Sequence, residues 1–381
     1  LATYAGLCDS SNADNPAVID DVVHVLDRWA CFPSDAARDA VALWIAHTHV
    51  IDAFYTTPRL AMLSPEPGSG KTRVLDLLGL MVRQAITSDN ASVAAIAQCM
   101  GDGRKTLLLD EIDAVFASRS ADKGALRGLL NSGHRRGGCY HRMKAGRLES
   151  LATFGAVALA GLGELPHTLQ TRSIVIRMQR RPRGTTLEPF RLHLVESEIS
   201  AVREDLERWA AQTLDALVYI QPELPNGVVD RIADVWEPLL AVAETIGGSW
   251  PERARVACAA LIADARPDDA SDGISLLNDL AHIFASEQRL ATEDILDRLT
   301  RLPESPWSPD GRGQLDSRKL ADLLRPYGIR PTKVKIGLRA LQGYRREDIE
   351  EVAGRYAPAE VPAVPAVPAI RSVERMEIVD V

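Results

Sequence analysis

No apolar run in the 381 residues approaches the ~18 residues that a membrane-crossing helix needs. No signal-peptide pattern opens the chain, and a cytoplasmic protein is expected. Cysteine is scarce: Cys8, Cys31, Cys99, Cys139 and Cys258 are scattered, odd in number and without metal-ligand spacing. That excludes a disulfide framework and a zinc module, and predicts a reduced protein. Excess positive charge is also absent. The formal net charge is −8, so any nucleic-acid surface must be a local basic patch. A hydrophobic fraction of 46% and a charged fraction of 25% suit a globular chain of two or three domains.

Residues 1–14 are polar, and helical periodicity runs from Pro16 to Phe54, with Val22, Leu26 and Trp29 on one face and Val41, Trp44 and Ile45 on another. Four short apolar runs read as buried strands: "RLAML" from Arg59, "TLLL" from Thr106, "GAVALAGLG" from Gly155 and "SIVIRM" from Ser173. Helical stretches separate them, which predicts a parallel sheet covered on both faces. Beyond Arg183 strand signals stop, and residues 187–265 read as helices broken at "QPELPNG" and "GGSWP". The expected organisation is a helical segment over 1–55, an α/β core over 56–183, a helical lid over 184–270, a winged-helix-like domain over 271–356 and a Pro/Ala-rich tail over 357–381.

"SPEPGSGKT", Ser64 to Thr72, lies between the first strand and a predicted helix from Lys71 to about Arg83. A loop that cradles phosphates needs small residues for close backbone approach, a lysine for the β/γ charge and a hydroxyl for Mg²⁺. Pro67, Gly68, Ser69, Gly70, Lys71, Thr72 and Arg73 are the candidate nucleotide-binding residues, with ATP and Mg²⁺ the expected ligands. Pro65 stands where the usual pattern has its first glycine. The second strand ends in Asp110 and Glu111. Asp110 is expected to hold Mg²⁺ with Thr72, and Glu111 to orient the attacking water, so hydrolysis is favoured over a kinase reaction.

"PGSGKT", "LLLDEID" and "TLQTRSIVIRM" together resemble an AAA+ P-loop ATPase. The resemblance implies that Arg172, before the last core strand, reaches a neighbouring subunit's γ-phosphate in a ring of about six copies. Lys71, Glu111 and Arg172 are thus the expected catalytic set. It also implies two sensors. The strand that would carry the first, "VALAGLGE", has no Asn or Thr for it, and Arg253 or Arg255 are candidates for the second or else solvated helix charges. More narrowly, "ALWIAHTHVIDAF", "LRGLLNSGHRRG", "VDRIADVWEPLLAVAE" and "LRPYGIRP" are similar to actinobacterial and mycobacteriophage proteins catalogued as a domain of unknown function and often labelled DNA primase/helicase. That likeness implies a replication or mobile-element setting with a primase or other replication partner. This chain shows no primase active site of its own.

Two basic stretches are candidate DNA contacts. From Gly133 to Leu148 stand Arg135, Arg136, Arg142, Lys144 and Arg147 with no acid. "CYHRM" and "LESLATF" around "KAGR" predict a β-hairpin, similar to the one that grips the strand in hexameric helicases; a solvated basic loop is the other reading. Residues 312–346 carry ten Lys/Arg, among them Arg318, Lys319, Lys333 and Lys335, against Asp316 and Asp322. Three short helices, in "SLLNDLAHIFA", "TEDILDRLTRL" and "DSRKLADLLRPYG", followed by two extended stretches predict a winged helix, with Thr292 and Asp316 as N-caps, and such domains dock on DNA or on proteins. The leading expectation is an ATP-driven helicase or translocase acting on single-stranded or forked DNA. An ATP-switched initiator or loader without unwinding, and a defence or regulatory ATPase with a protein partner, are the alternatives.

Overall fold

The computed structural model describes residues 15–88, 93–101, 104–117, 121–144, 146–264, 272–284, 287–302, 307, 315–336 and 339–356. The polar start over 1–14 and the Pro/Ala-rich tail over 357–381 lie outside the described residues. The chain divides between Ala263 and Asp264 into two units.

In the first unit, α1 (Asn15–Trp29) buries Ile19, Val22, Leu26 and Trp29, spaced three or four residues apart on one face. Ser34 caps α2 (Asp35–His49) by accepting the Ala37 N–H at 3.2 Å, and α2 is buried along most of its length. The strand β1 (Arg59–Ser64) is buried at every position, as a central parallel strand must be. It is followed by α3 (Lys71–Met81), β2 (Ala85–Ser88), α4 (Val93–Met100), β3 (Thr106–Leu109), α5 (Ile112–Ala117) and α6 (Ala121–Ser132). A hairpin, β4 (Cys139–Lys144) and β5 (Arg147–Ala152), precedes β6 (Val157–Leu162), α7 (His167–Gln170) and β7 (Ser173–Arg177). Three long helices follow: α8 (Leu192–Leu217), α9 (Asp230–Ile246) and α10 (Trp250–Asp264).

The five strands form a parallel sheet in the order β2-β3-β6-β1-β7. Alternation along β1 feeds two cores. Leu60 and Met62 join the cluster built from α1, α2, α3, α8 and α9; Ala61 and Leu63 join the cluster under α4, α6 and α7. The N-terminal helices thus share one hydrophobic core with the sheet and with the helices after it. The edge strand β2 is not among the four strands read from the sequence. It has four residues and only Ile86 as a large apolar side chain, so its pairing to β3 makes it a strand.

The second unit comprises α11 (Asp272–Phe284), β8 (Arg289–Ala291), α12 (Thr292–Thr300), α13 (Ser317–Leu324), β9 (Thr332–Ile336), β10 (Arg339–Arg345) and α14 (Arg346–Tyr356). Its antiparallel sheet has the order β8-β10-β9, and its own core gathers Leu276, Leu280, Phe284, Ile295, Leu299, Leu320, Leu324 and Tyr344. Asp316 caps α13, accepting the Lys319 N–H at 2.7 Å. Thr292 is instead the first helical residue, because β8 runs straight into α12; Ala291 takes the cap position and the Thr292 hydroxyl donates to the Gln342 carbonyl at 3.2 Å.

Candidate active site

The segment between β1 and α3 turns at Gly68 (φ +81°) and Gly70 (φ +88°), in the left-handed region that side chains resist. Gly70 caps α3 without any side-chain bond, so the first-turn N–H groups of the helix are left for an anion. Lys71 is buried and its ammonium donates to the hydroxyls of Ser64 (2.5 Å) and Ser69 (3.3 Å). Burial pushes the Lys71 pKa down, while Asp110 and Asp113 pull it back up. Ser64, the last residue of β1, was not singled out by the sequence motif, because its role depends on where the lysine folds back.

Opposite the loop, β3 ends at Asp110. Because β6 alone separates β1 from β3, both segments emerge at the same carboxyl edge of the sheet, where α/β proteins bind ligands. The Thr72 hydroxyl donates to Asp110 Oδ2 at 2.8 Å, and Asp110 Oδ1 accepts the Glu111 N–H at 2.8 Å. Glu111 is exposed and held at φ +52°, a conformation costly for a non-glycine residue. Asp113, also missed by the motif, accepts the Leu162 N–H at 2.8 Å and ties α5 to the end of β6. There Gly161 leaves no room for a side chain: a Cβ would meet Ile112 Cγ2 at 2.7 Å.

An open cleft continues from Thr72, Asp110 and Glu111 along α3 to Thr87, Phe190 and Leu192. Arg73 lies over the Phe190 ring at 4.3 Å and 3.7 Å from Asp76, so it is held against the outer side of α3. The backbone of β7 continues beside β1, with Met178 N–H donating to the Leu63 carbonyl at 2.7 Å. This brings Arg180 to the loop, where its Nε donates to the Pro67 carbonyl at 3.1 Å and a second nitrogen lies 3.8 Å from Glu66. Arg180 is a cation at the loop that no motif pointed to.

Arg172 stands at the other edge. Its carbonyl accepts the N–H of Arg59 at the start of β1. A six-residue strand spans about 20 Å, so Arg172 cannot reach the glycine loop of its own chain. Burial lowers its pKa first, reinforced by Arg231 and Arg135 and opposed by Asp234; its Nη1 donates to the Thr168 carbonyl, and its Nε is buried without a partner. Beneath it Arg59 is fully buried on the carbonyls of Leu130 and Gly155, its pKa pushed down to about 9 by burial and then by Arg172. Arg253 and Arg255, on α10, are engaged elsewhere. Arg253 pairs with Asp39 (2.7 Å) and Asp20 (3.2 Å) over the Trp250 ring, and Arg255 pairs with Glu244.

The basic stretch before β6 folds as the β4–β5 hairpin, but its charges divide. Arg135 pairs with Asp234. Arg136 donates to the carbonyls of Phe54 and Asp52, each at 2.7 Å. Arg142 pairs with Glu149 at 2.5 Å. These three anchor the hairpin's base and stem. Lys144 and Arg147 sit opposite each other at the turn, and Arg147 is exposed. In the second unit, Arg318, Lys319, Lys333 and Lys335 have no ion-pair partner among the described residues, and Lys333 and Lys335 are exposed on the same side of β9.

A five-stranded parallel sheet flanked by helices, with a glycine loop after the interior strand β1, places the first unit among mixed α/β proteins. Residues 177–356 match the family described as "Protein of unknown function (DUF3631)". The chain is also 35% identical, over 184 residues, to the "Uncharacterized 28.9 kDa protein in xis 5'region" of Saccharopolyspora erythraea, a stretch that covers 48% of this chain and 69% of that protein. At that identity and coverage the chain belongs to the same family. The glycine loop and the Asp110–Glu111 pair lie before the residues of the family match. Among the described residues no helix is long and apolar enough to cross a membrane.

Proposed function

We propose that this protein is an AAA+-like P-loop ATPase that couples ATP hydrolysis to movement on DNA, as a helicase or translocase of phage or mobile-element replication. The observation that carries the reading is the 2.8 Å bond between Thr72 and Asp110, which joins the helix start after the glycine loop to the end of β3 across the intervening strand. The N–H groups at the start of α3 and the Lys71 ammonium bind the phosphates; Ser64 and Ser69 release Lys71 to do so. Among the described residues no group of three His, Cys, Asp or Glu side chains could hold a metal. A hydroxyl and one carboxylate still fit Mg²⁺, which takes few protein ligands and completes its shell with phosphate oxygens and water. Thr72 and Asp110 would hold that ion, and it would supply charge neutralisation at the phosphates. Glu111 orients water toward the terminal phosphate. Arg172, too far from its own loop, acts on the loop of a neighbouring copy.

The experiment is ATP turnover with and without single-stranded and duplex DNA, alongside strand displacement on a forked duplex and mass by light scattering. DNA-stimulated turnover with strand displacement by an oligomer is expected; turnover unaffected by DNA overturns the motor reading. One observation favours a second reading, an ATP-switched initiator or loader. Three of the five hairpin cations are paired within the chain, whereas the Arg318, Lys319, Lys333 and Lys335 surface is unpaired among the described residues. Tight DNA binding without strand displacement would select it.

A further inference from the structure

The β4–β5 hairpin has two unlike faces. Strand pairing alternates them: Tyr140–Leu151, Arg142–Glu149 and Lys144–Arg147 share one face, and Cys139–Ala152, His141–Ser150 and Met143–Leu148 share the other. The first face packs Leu151 and Tyr140 onto the sheet's core. Every residue of the second face is exposed. At its outer end Met143 and Leu148 lie directly opposite each other, each 67% exposed. Two large apolar side chains in water at a ribbon's tip lose the burial that would otherwise stabilise them, so they call for an occupant.

Size and charge point to one. Contiguous patches that bind proteins run to several hundred Å² or more, and one cross-strand pair is far smaller. It matches a single base step, and in duplex DNA Met and Leu side chains wedge between such steps. The neighbouring positions are cationic: Arg147 precedes Leu148, Lys144 follows Met143, and no acid lies between Gly133 and Leu148. A polyanion with apolar faces along its length fits this tip; an acidic protein surface would engage only the charges.

We propose that the Met143–Leu148 pair is a base-contacting wedge that enters the stack of single-stranded DNA while Arg147 and Lys144 meet the flanking phosphates. This rests on the reading of the hairpin as a DNA-contacting element and adds that it contacts bases, not the backbone alone. Contact with bases is sequence-tolerant and separates neighbouring bases.

The test uses the full chain and two single-stranded oligonucleotides of equal length and charge, one carrying 2-aminopurine among normal bases and one abasic. Wild type is expected to bind the base-containing strand about tenfold more tightly than the abasic one and to raise 2-aminopurine fluorescence severalfold. Met143→Ser/Leu148→Ser is expected to bind both strands alike, with an unchanged salt slope and no fluorescence rise. Met143→Phe/Leu148→Phe is expected to restore the rise, which a misfolded tip would not. Equal binding of both strands by wild type overturns the wedge, as does a serine variant that behaves as wild type. A serine variant that lowers the mass of the DNA-free protein also overturns it, since the pair then joins two copies. Lys144→Ala/Arg147→Ala separates the two levels. If it lowers the salt slope by roughly one to two units while the serine variant changes nothing, the wedge alone fails. If neither changes DNA binding, the hairpin has no part in DNA contact and both readings fail.

Discussion

Lys71 spends its charge on two neutral hydroxyls, Ser64 and Ser69, and sits close enough to Asp110 and Asp113 to feel both. A phosphate offers a better partner. Lys71→Ala is therefore expected to weaken ATP binding by roughly tenfold to a hundredfold, the loss of one charge-assisted contact, measured by titration with a fluorescent ATP analogue. Glu111→Gln keeps the Thr72–Asp110 bond and removes the carboxylate proposed to orient water; turnover is expected to fall by about a hundredfold or more with ATP affinity retained. Unchanged affinity in the first variant, or near-normal turnover in the second, sinks the corresponding role. Two residues away from the site contribute to the acid limit of the fold, as does His134, which burial holds down to about 4. Burial holds His47 down to about 3 and His49 down to about 4, and each has a buried Nδ1 without a partner. The unfolded imidazoles take up protons below about pH 6.5, the folded ones only near those low values. Stability therefore falls as pH drops from about 6.5 toward 4, by up to about 1.4 kcal/mol per pH unit for each histidine. Urea unfolding from pH 7 to pH 5 should show this, and His47→Gln should flatten the slope by about one proton.

At the scale of elements, β1 separates the two proposed parts of the site. Its carboxyl end carries the glycine loop, and its amino end carries Arg59 beneath Arg172. An Arg172 that acts on a neighbouring copy makes a specific complementation possible. Arg172→Ala and Lys71→Ala proteins, each expected to be inactive, should regain part of the turnover when mixed, because an intact glycine loop then meets an intact arginine. Full activity of Arg172→Ala alone rejects the role. The elements also show which local signals could be trusted. The strands β1, β3, β6 and β7 are apolar runs closed by glycine, acid or proline, and read correctly. β2 offers Ile86 alone, and its strand character comes from Ala85–Ser88 pairing with Thr106–Leu109. The cations near the hairpin and on α10 are legible as residues, but their partners are not: Asp234 lies 99 positions from Arg135, and Asp39 lies 214 from Arg253.

The whole molecule has two units, each with its own buried core. Leu280 is completely buried in the second. Truncating such a side chain costs about 2–5 kcal/mol, which in a domain of this size lowers Tm by roughly 10 °C or more. Leu280→Ala should therefore shift one of two calorimetric transitions and leave the other in place. A single transition that moves as a whole would mean that the units unfold together.

What the sequence determined by itself was chemistry with short range: the left-handed turns that Gly68 and Gly70 permit, the lysine and hydroxyl that follow them, the acids that close an apolar strand, and the cap at Asp316. Each depends on residues a few positions apart, where covalent geometry leaves little choice. The tertiary structure decided everything that depends on distant partners. It set the strand order, and with it the meeting of Thr72 and Asp110. It placed Arg172 at the far edge of the sheet and Arg180 at the loop. It neutralised Arg135, Arg136 and Arg142 and left Met143 and Leu148 in water. The physical reason is that burial and ion pairing act through space, and contacts between residues far apart in the chain leave no periodicity in the sequence to read.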